Sequence, residues 1–491
     1  MLVQYSGPPS RVVYASVPLP TLVSRPMRFL PAVVLLLGAS AAWPYGERTH
    51  NDISAGAISD SSHSTSVRQS SDTTTPSTAP RSDRAVAVRA LYVNRSSVQS
   101  TKRMKQIIAI ADETEINGLV LDMKDEFGLN YVSKDTLVRR NAGRAGVVPH
   151  LKELLDTLRA HGIVSVARLV TFKDSVAARV NPQHTIRKPD GTPWRDKQGL
   201  TWVDPYDTLI WEYNIRVAEE MARVGFDEIQ FDYIRFPEPY KSLPVQHFSD
   251  TKGRSKPQVL QDFLKVACKR INAAGARCTV DVFGLVTQMR APLEIGQQWE
   301  KISSAVDVVL PMTYPSHYPR GSFGLVRPNA DPERVLQVAN AKAHDRDIAL
   351  GIAQAEHVRP WLQAFTLGKP AYGPAELEAQ KRGVYAAGYD GWVLWNPGSK
   401  YEIFLPALEK SCVSRKQPYP RPAVATTGTP VKDSAVTTID TDSTAQAPKA
   451  ATPFGNFMVW IGKTSASPVD SIAGAVKTAT PLADSNAVAK P

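Results

Sequence analysis

Between residues 86 and 412 short β-rich runs alternate with amphipathic helical stretches, and this alternation limits the available folds more than any other feature. The strand candidates are 86–93, 117–123, 163–170, 226–232, 278–283, 306–313, 347–354 and 390–395. Helical patterns lie between most of them, at 101–115, 149–161, 208–224, 257–274, 331–345 and 374–387, with a shorter one near 294–303. Strands that alternate with helices pair in parallel through right-handed crossovers, because each helix packs back onto the sheet. Eight such units predict an α/β fold, a (β/α)8 TIM barrel with some long loops, since such barrels typically need about 250 residues. A doubly wound open sheet would carry a Gly-rich phosphate turn after its first strand. Here Asn94-Arg-Ser-Ser-Val98 follows instead.

The flanks have a different composition. Arg25 and Arg28 precede a short apolar run within 27–43 that ends in Ala39-Ser-Ala41, which is the order of a secretory signal. Residues 1–43 are therefore expected to be a signal region, with Met27 as a candidate start, and the protein to be exported to the periplasm, envelope or medium. The alternative is an uncleaved N-terminal anchor, which would be the one route to membrane contact. Residues 44–85 are rich in Ser, Thr, Asp and Pro and predict a disordered linker. Residues 413–491 predict a low-complexity tail, interrupted by the apolar segment Phe454–Ile461.

The net charge of +11 is spread along the chain: seven Lys/Arg against five Asp/Glu in 1–85, eight against five in 413–491, and +6 between them. No basic stripe is interleaved with stacking aromatics, so no nucleic-acid partner is expected. Cys268, Cys278 and Cys412 lack zinc-ligand spacing, and no metal or other cofactor is expected. Cys268 and Cys278 are compatible with a disulfide and equally with two buried thiols. HExxH, P-loop and GxSxG patterns are missing, which argues against a zinc protease, an NTPase and an α/β-hydrolase.

In a TIM barrel chemistry gathers where strands end. The second strand ends Asp122-Met-Lys124-Asp125-Glu126, the third Arg168 to Asp174, and the fourth at Asp232, with Tyr233 and Arg235 just beyond. The fifth contains Asp281. The sixth ends Tyr314-Pro-Ser-His317-Tyr318, the seventh Gln354-Ala-Glu356 before Arg359-Pro-Trp361-Leu-Gln363, and the eighth Trp395-Asn396. Alternation places Glu228, Gln230 and Asp232 on one face, directed into the barrel, and Ile229 and Phe231 on the other. Carboxylates held close push their pKa values apart, leaving one charged and one protonated. Glycoside hydrolysis uses such a pair.

The catalytic candidates are Asp232 as nucleophile, with Asp281 or Glu356 as acid/base and Arg235 as the cation that keeps Asp232 charged. Asp122, Lys124, Arg235, Tyr233, Tyr314, His317, Trp361, Gln363, Trp395 and Asn396 are candidates for holding the substrate, a polysaccharide or oligosaccharide. Rings at strand ends, among them Trp194, Trp202 and Trp392, offer stacking faces to sugars. Two other readings remain. One is a non-catalytic carbohydrate-binding barrel of the cell envelope. The other is a barrel enzyme with Lys124 as an imine-forming amine, or with a metal on Asp122, Asp125 and Glu126.

The ordered pieces Asn117–Asp125, Phe226–Pro237, Asp281–Gly284, Leu310–Tyr318, Arg359–Gln363 and Gly391–Asn396 resemble a bacterial glycoside hydrolase family first named as a domain of unknown function, the DUF4015 family. The resemblance spans roughly 86–410. It implies a TIM barrel distantly similar to α-amylase-like enzymes, with the nucleophile at the end of strand 4, which is Asp232. It implies a Glu at the end of strand 5, where this chain has Asp281, and a third carboxylate near Glu356.

Overall fold

The computed structural model describes residues 87–352 and 356–419. The expected signal region 1–43, the linker 44–85 and the segment Phe454–Ile461 lie outside the described residues. The chain runs β1 (Arg89–Val93), α1 (Arg95–Gln99), α2 (Thr101–Glu113), β2 (Gly118–Asp125), β3 (Gly128–Leu129), α3 (Thr136–Arg140), α4 (Leu151–Ala160), β4 (Val164–Val170), α5 (Ser175–Val180), α6 (Thr208–Val224) and β5 (Glu228–Asp232). It continues with α7 (Lys256–Ala273), β6 (Arg277–Phe283), α8 (Trp299–Ser303), β7 (Val308–Met312), α9 (Pro332–Ala349), β8 (Trp361–Gln363), α10 (Pro374–Ala386) and β9 (Trp392–Trp395).

Eight of these strands pair in parallel, and β1 hydrogen-bonds to both β2 and β9, so the sheet closes on itself as the expected TIM barrel. The short β3 folds back antiparallel on the end of β2. Strand alternation sorts the apolar side chains into two cores. Ala90, Val120, Val166, Leu310 and Val393 fill the barrel. Leu91, Leu119, Ile229, Phe231 and Val280 face outward and meet Ile107, Leu158, Ile215 and Phe263. Each such side chain contributes about 1.5–3 kcal/mol by leaving water, so the outer shell supplies most of the drive to fold. Local signals set the helix ends. Asp207 accepts the backbone N–H of Leu209 at the start of α6, and Gly225 ends that helix at φ 120°, where a Cβ would be strained.

The seventh barrel strand departs from the expectation. Over its described residues, 347–352, the expected run 347–354 is not a strand: α9 continues to Ala349, and β8 is Trp361–Gln363, preceded by a Val358–Val309 bridge. Cys268 and Cys278 form a disulfide that ties α7 to β6. The packed region also runs past 412, since Ser414 and the backbone of Arg415 bind the Asp390 carboxylate. Two long excursions rise from the C-terminal ends of β4 and β5, residues 171–207 and 233–255, and join through an Arg187–His247 bridge. Trp194 and Trp202 are buried there, and Trp392 is buried in the outer core.

Candidate active site

Three side chains of β5 point into the barrel in layers. Glu228 sits at the base, gripped by both terminal nitrogens of Arg359 at 2.6 and 3.0 Å and by Arg277 at 3.3 Å. Gln230 lies above it. Asp232 ends the strand at the C-terminal mouth, 8% exposed. Its Oδ1 accepts the backbone N–H of Tyr233 at 2.6 Å, and its Oδ2 accepts Nε of Arg168 at 3.1 Å and a closer Arg168 Nη2.

Arg168, on β4, is the guanidinium of this site. Its Nη1 also donates to Asp122 Oδ1 at 2.5 Å, so the acceptor oxygens of Asp122 and Asp232 lie within about 8 Å, the span of two hydrogen bonds and one guanidinium fork. Asp122 takes a further bond from the Tyr92 hydroxyl at 2.5 Å. Burial pushes its carboxyl up, against the pull of Arg168 and the Tyr92 bond.

Asp281 lies on the neighbouring β6, 1% exposed. Trp361 Nε1 donates to its Oδ1 at 2.6 Å, and Gln230 Nε2 reaches both oxygens at 2.9 and 2.8 Å. Burial first, then the charge of Asp232, pushes the Asp281 carboxyl well above the usual carboxylate range. Among the described residues Gln230 Oε1 has no hydrogen-bond partner, and the donors Gln230 and Trp361 oppose the upward push of burial on Asp281.

Tyr314 closes one side of the mouth, its ring 5.0 Å from that of Trp395, 5.9 Å from Phe365 and 5.4 Å from His317. Burial, then Asp281 and Asp232, pushes the Tyr314 hydroxyl well up, so it remains a phenol. Burial pushes His317 down to about 3, which leaves its ring neutral. Tyr233 adopts φ 54°, uncommon for a residue with a side chain. The bend turns its ring toward Trp202, 5.8 Å away, and under the Lys173 ammonium at 5.0 Å.

Several sequence candidates lie elsewhere. Arg235 does not hold Asp232: the bend at Tyr233 carries it away, to Glu238 at 3.2 Å and over the Trp202 ring. Lys124 leaves the mouth altogether, because β2 shifts register between Asp122 and Lys124. Its ammonium is fully buried against Asp174 at 2.7 Å and the carbonyl of Val170. Asp125 is bound by two nitrogens of Arg95, so Asp122, Asp125 and Glu126 do not converge on one point. Among the described residues no cluster of metal-ligating side chains occurs. Gln363 is fully buried, holding Ser316 and the Phe365 carbonyl, and Asn396 braces the turn after β9. Glu356 belongs to the opposite end of the barrel. It precedes β8 rather than ending it, and faces Lys416 at 3.5 Å near Gly391.

Sequence reasoning passed over Arg168, Tyr92 and Gln230 as partners of the acids. The parity Val164–Val166–Arg168 was the available signal, since it puts the guanidinium inside. The sequence reading named Lys173 and Glu126 among the strand-end residues but did not pair them. Burial, then Asp125, pushes the Glu126 carboxyl up, with Lys173 opposing.

A sequence model of the DUF4015 family, described as "Putative glycosyl hydrolase domain", matches residues 90–401. Among solved structures, a hypothetical protein from Ruminiclostridium thermocellum ATCC 27405 shares 35% identity over 39% of this chain and 97% of its own, with a TM-score of 0.36. The PgaB (BpsB) glycoside hydrolase domain from Bordetella bronchiseptica shares 14% over 66% of this chain and 99% of its own, at 0.48. The spore cortex-lytic enzyme SleL of Bacillus megaterium QM B1551 shares 12% over 65% and 72%, at 0.40. No curated protein matched the chain.

Proposed function

The chain belongs to the DUF4015 family of glycosyl hydrolases, and from that premise we propose that it cleaves O-glycosidic bonds of a polysaccharide with Asp232 and Asp281 as its paired carboxyl groups. The observation that carries this reading is geometric. At the mouth of the barrel Asp232 is held by Arg168, whereas Asp281, buried on the next strand, is held only by the neutral donors Trp361 and Gln230 among the described residues. Burial and Asp232 push its carboxyl up. Two carboxyl groups whose environments differ in this way can divide the work of acid and base.

In the proposed reaction Asp232 supplies negative charge to the anomeric carbon as the glycosidic bond breaks, and Asp281 supplies the proton. Arg168 fixes the Asp232 oxygen from the side, and its second arm rests on Asp122. Tyr314, Trp395 and Phe365 present ring faces and edges on which a sugar can stack. Export belongs to the same proposal. The Cys268–Cys278 disulfide supports it, since such bonds persist in oxidising compartments.

The test is reducing-end release from a panel of polysaccharides by the purified full chain and by Asp232→Asn. Hydrolysis by the native protein that the substitution abolishes supports the proposal. Binding without turnover in the native protein would replace it with the non-catalytic carbohydrate-binding barrel.

A further inference from the structure

The eight segments that leave the C-terminal ends of the barrel strands do not share the charge of the rest of the barrel. They are 94–100, 126–150, 171–207, 233–255, 284–298, 313–331, 364–373 and 396–401. Together they carry twenty Lys/Arg against eleven Asp/Glu, a surplus of nine. Residues 86–412 as a whole carry 43 against 37, so everything outside these segments is acidic by three. The basic excess of the domain is concentrated on the face that holds Asp232.

The two signs are also used differently on that face. Its acids are largely consumed by the fold. Asp135, Asp207 and Asp331 cap helices, Asp174 holds Lys124, Asp204 binds the backbone of Tyr206 and Ser249, and Glu238 holds Arg235. The cations are left over. Lys197, Lys241, Arg290, Arg320, Lys369 and Lys400 are exposed and make no ion pair among the described residues. They come from six of the eight segments or their neighbours, so they ring the mouth rather than clustering on one loop.

One further cation sits inside the ring. Lys173 is buried, donates to Gln198 Oε1 at 2.8 Å and lies over the ring of Tyr233, the residue that follows Asp232. Glu126 is its carboxyl neighbour. The floor of the mouth is acidic and the rim is basic.

Resting on the hydrolase reading above, we infer that the substrate is a polyanionic glycan, one whose repeating units carry carboxylate or sulfate groups. A neutral chain would gain nothing from the rim. A polyanion would be drawn to it from a distance and held along it, with Lys173 taking the acidic group of the sugar nearest Asp232. The attraction is long-range and screened, so it must weaken with salt.

The test uses the full chain carrying Asp232→Asn, so that binding is read without turnover. Polygalacturonate and neutral dextran are titrated at low and high salt, and again after adding Lys197→Glu, Arg320→Glu and Lys400→Glu together. Polygalacturonate is expected to bind, to weaken roughly tenfold as the Debye length falls from about 30 Å to about 8 Å, and to weaken about as much with the triple reversal while the melting temperature holds. Dextran binding equal to that of polygalacturonate, binding indifferent to salt and to the reversal, or stronger capture of a single-stranded DNA oligonucleotide would each overturn the inference. The hydrolase reading fails separately: salt-sensitive polyuronate binding with no cleavage by the native protein defeats that reading alone, and cleavage of dextran alone defeats only this one.

Discussion

The two ends of the barrel interior use the same residue types to opposite ends. At the base, Glu228 meets Arg359 and Arg277, so this carboxylate has two cations. At the mouth, Asp122 and Asp232 share Arg168, and among the described residues no cation pairs with Asp281. The consequence is visible in proton affinity. Arg359 and its neighbour overcome burial and hold Glu228 below the usual range, whereas burial wins at Asp281 and Asp122. A saturated acid stabilises. An undersupplied acid is free to exchange protons with a substrate. Glu228 and Asp281, on the neighbouring strands β5 and β6, stand on opposite sides of that division.

The sharpest way to break the comparison is to neutralise both ends. Asp232→Asn is expected to lower kcat/KM by a factor of about a thousand or more, and Asp281→Asn by about a hundred or more, with the fold intact in circular dichroism. Glu228→Gln is expected to leave kcat of the folded fraction nearly unchanged. If the base substitution costs as much activity as those at the mouth, the division is wrong.

Stability is the second axis, with the opposite ranking. Removing one partner of a buried ion pair costs about 3–5 kcal/mol, so Glu228→Gln should lower the melting temperature by several degrees. The pH dependence differs in sign. Glu228 binds its proton less readily folded than unfolded, so its contribution is present above the unfolded pKa and lost as pH falls through the folded one. Asp281 binds its proton more readily folded, so stability falls as pH rises from the unfolded value toward the folded one. Asp281→Asn should therefore raise the melting temperature near neutrality. Melting curves of both variants from pH 4 to pH 8 check the pair. Loss of stability in Asp281→Asn at pH 8 would contradict it.

How much of this was legible in the sequence follows the same line. Parity along β5 was readable because each outward residue is apolar and each inward one polar, and it placed Asp232 correctly. The count of eight units also held, since the strands are short, mostly apolar runs separated by amphipathic helices. The seventh strand was not readable. Ala349-Leu-Gly-Ile-Ala353 has the look of a strand, yet α9 runs into it, and the true strand is three residues long, without a β-branched side chain and just after Pro360. That displacement made Glu356 look like a strand end. Arg235 misled for a different reason. It is near Asp232 in sequence, but the positive φ at Tyr233 decides where the chain goes next.

Arg168 gives the third prediction, intermediate in size. Lys cannot bridge two carboxylates with a planar fork, so Arg168→Lys should free Asp232 to move. An expected loss of roughly ten- to a hundredfold in kcat with little change in KM would identify a positioning role. The matching change at the base, Arg359→Lys, should lower the melting temperature and leave kcat alone. A rise in KM at unchanged kcat in Arg168→Lys would instead make this arginine a substrate-binding group.

The smallest effect is the most specific to Asp281. Trp361 Nε1 donates to the carboxyl and favours its charged form, against the stronger push of burial. Trp361→Phe removes the donor and leaves a ring in place. Asp281 then holds its proton to higher pH, and if it is the acid of the reaction the alkaline limb of kcat/KM moves upward, while the rate at the optimum falls only a few-fold. Trp392 supplies the control at the other end: its indole donates to Tyr385 at 3.4 Å, far from any acid of the mouth. Trp392→Phe should leave the pH profile unmoved. A profile that shifts equally in both variants would mean that the alkaline limb reports unfolding rather than the proton on Asp281, and a limb that moves down in Trp361→Phe would remove Asp281 from the role of acid.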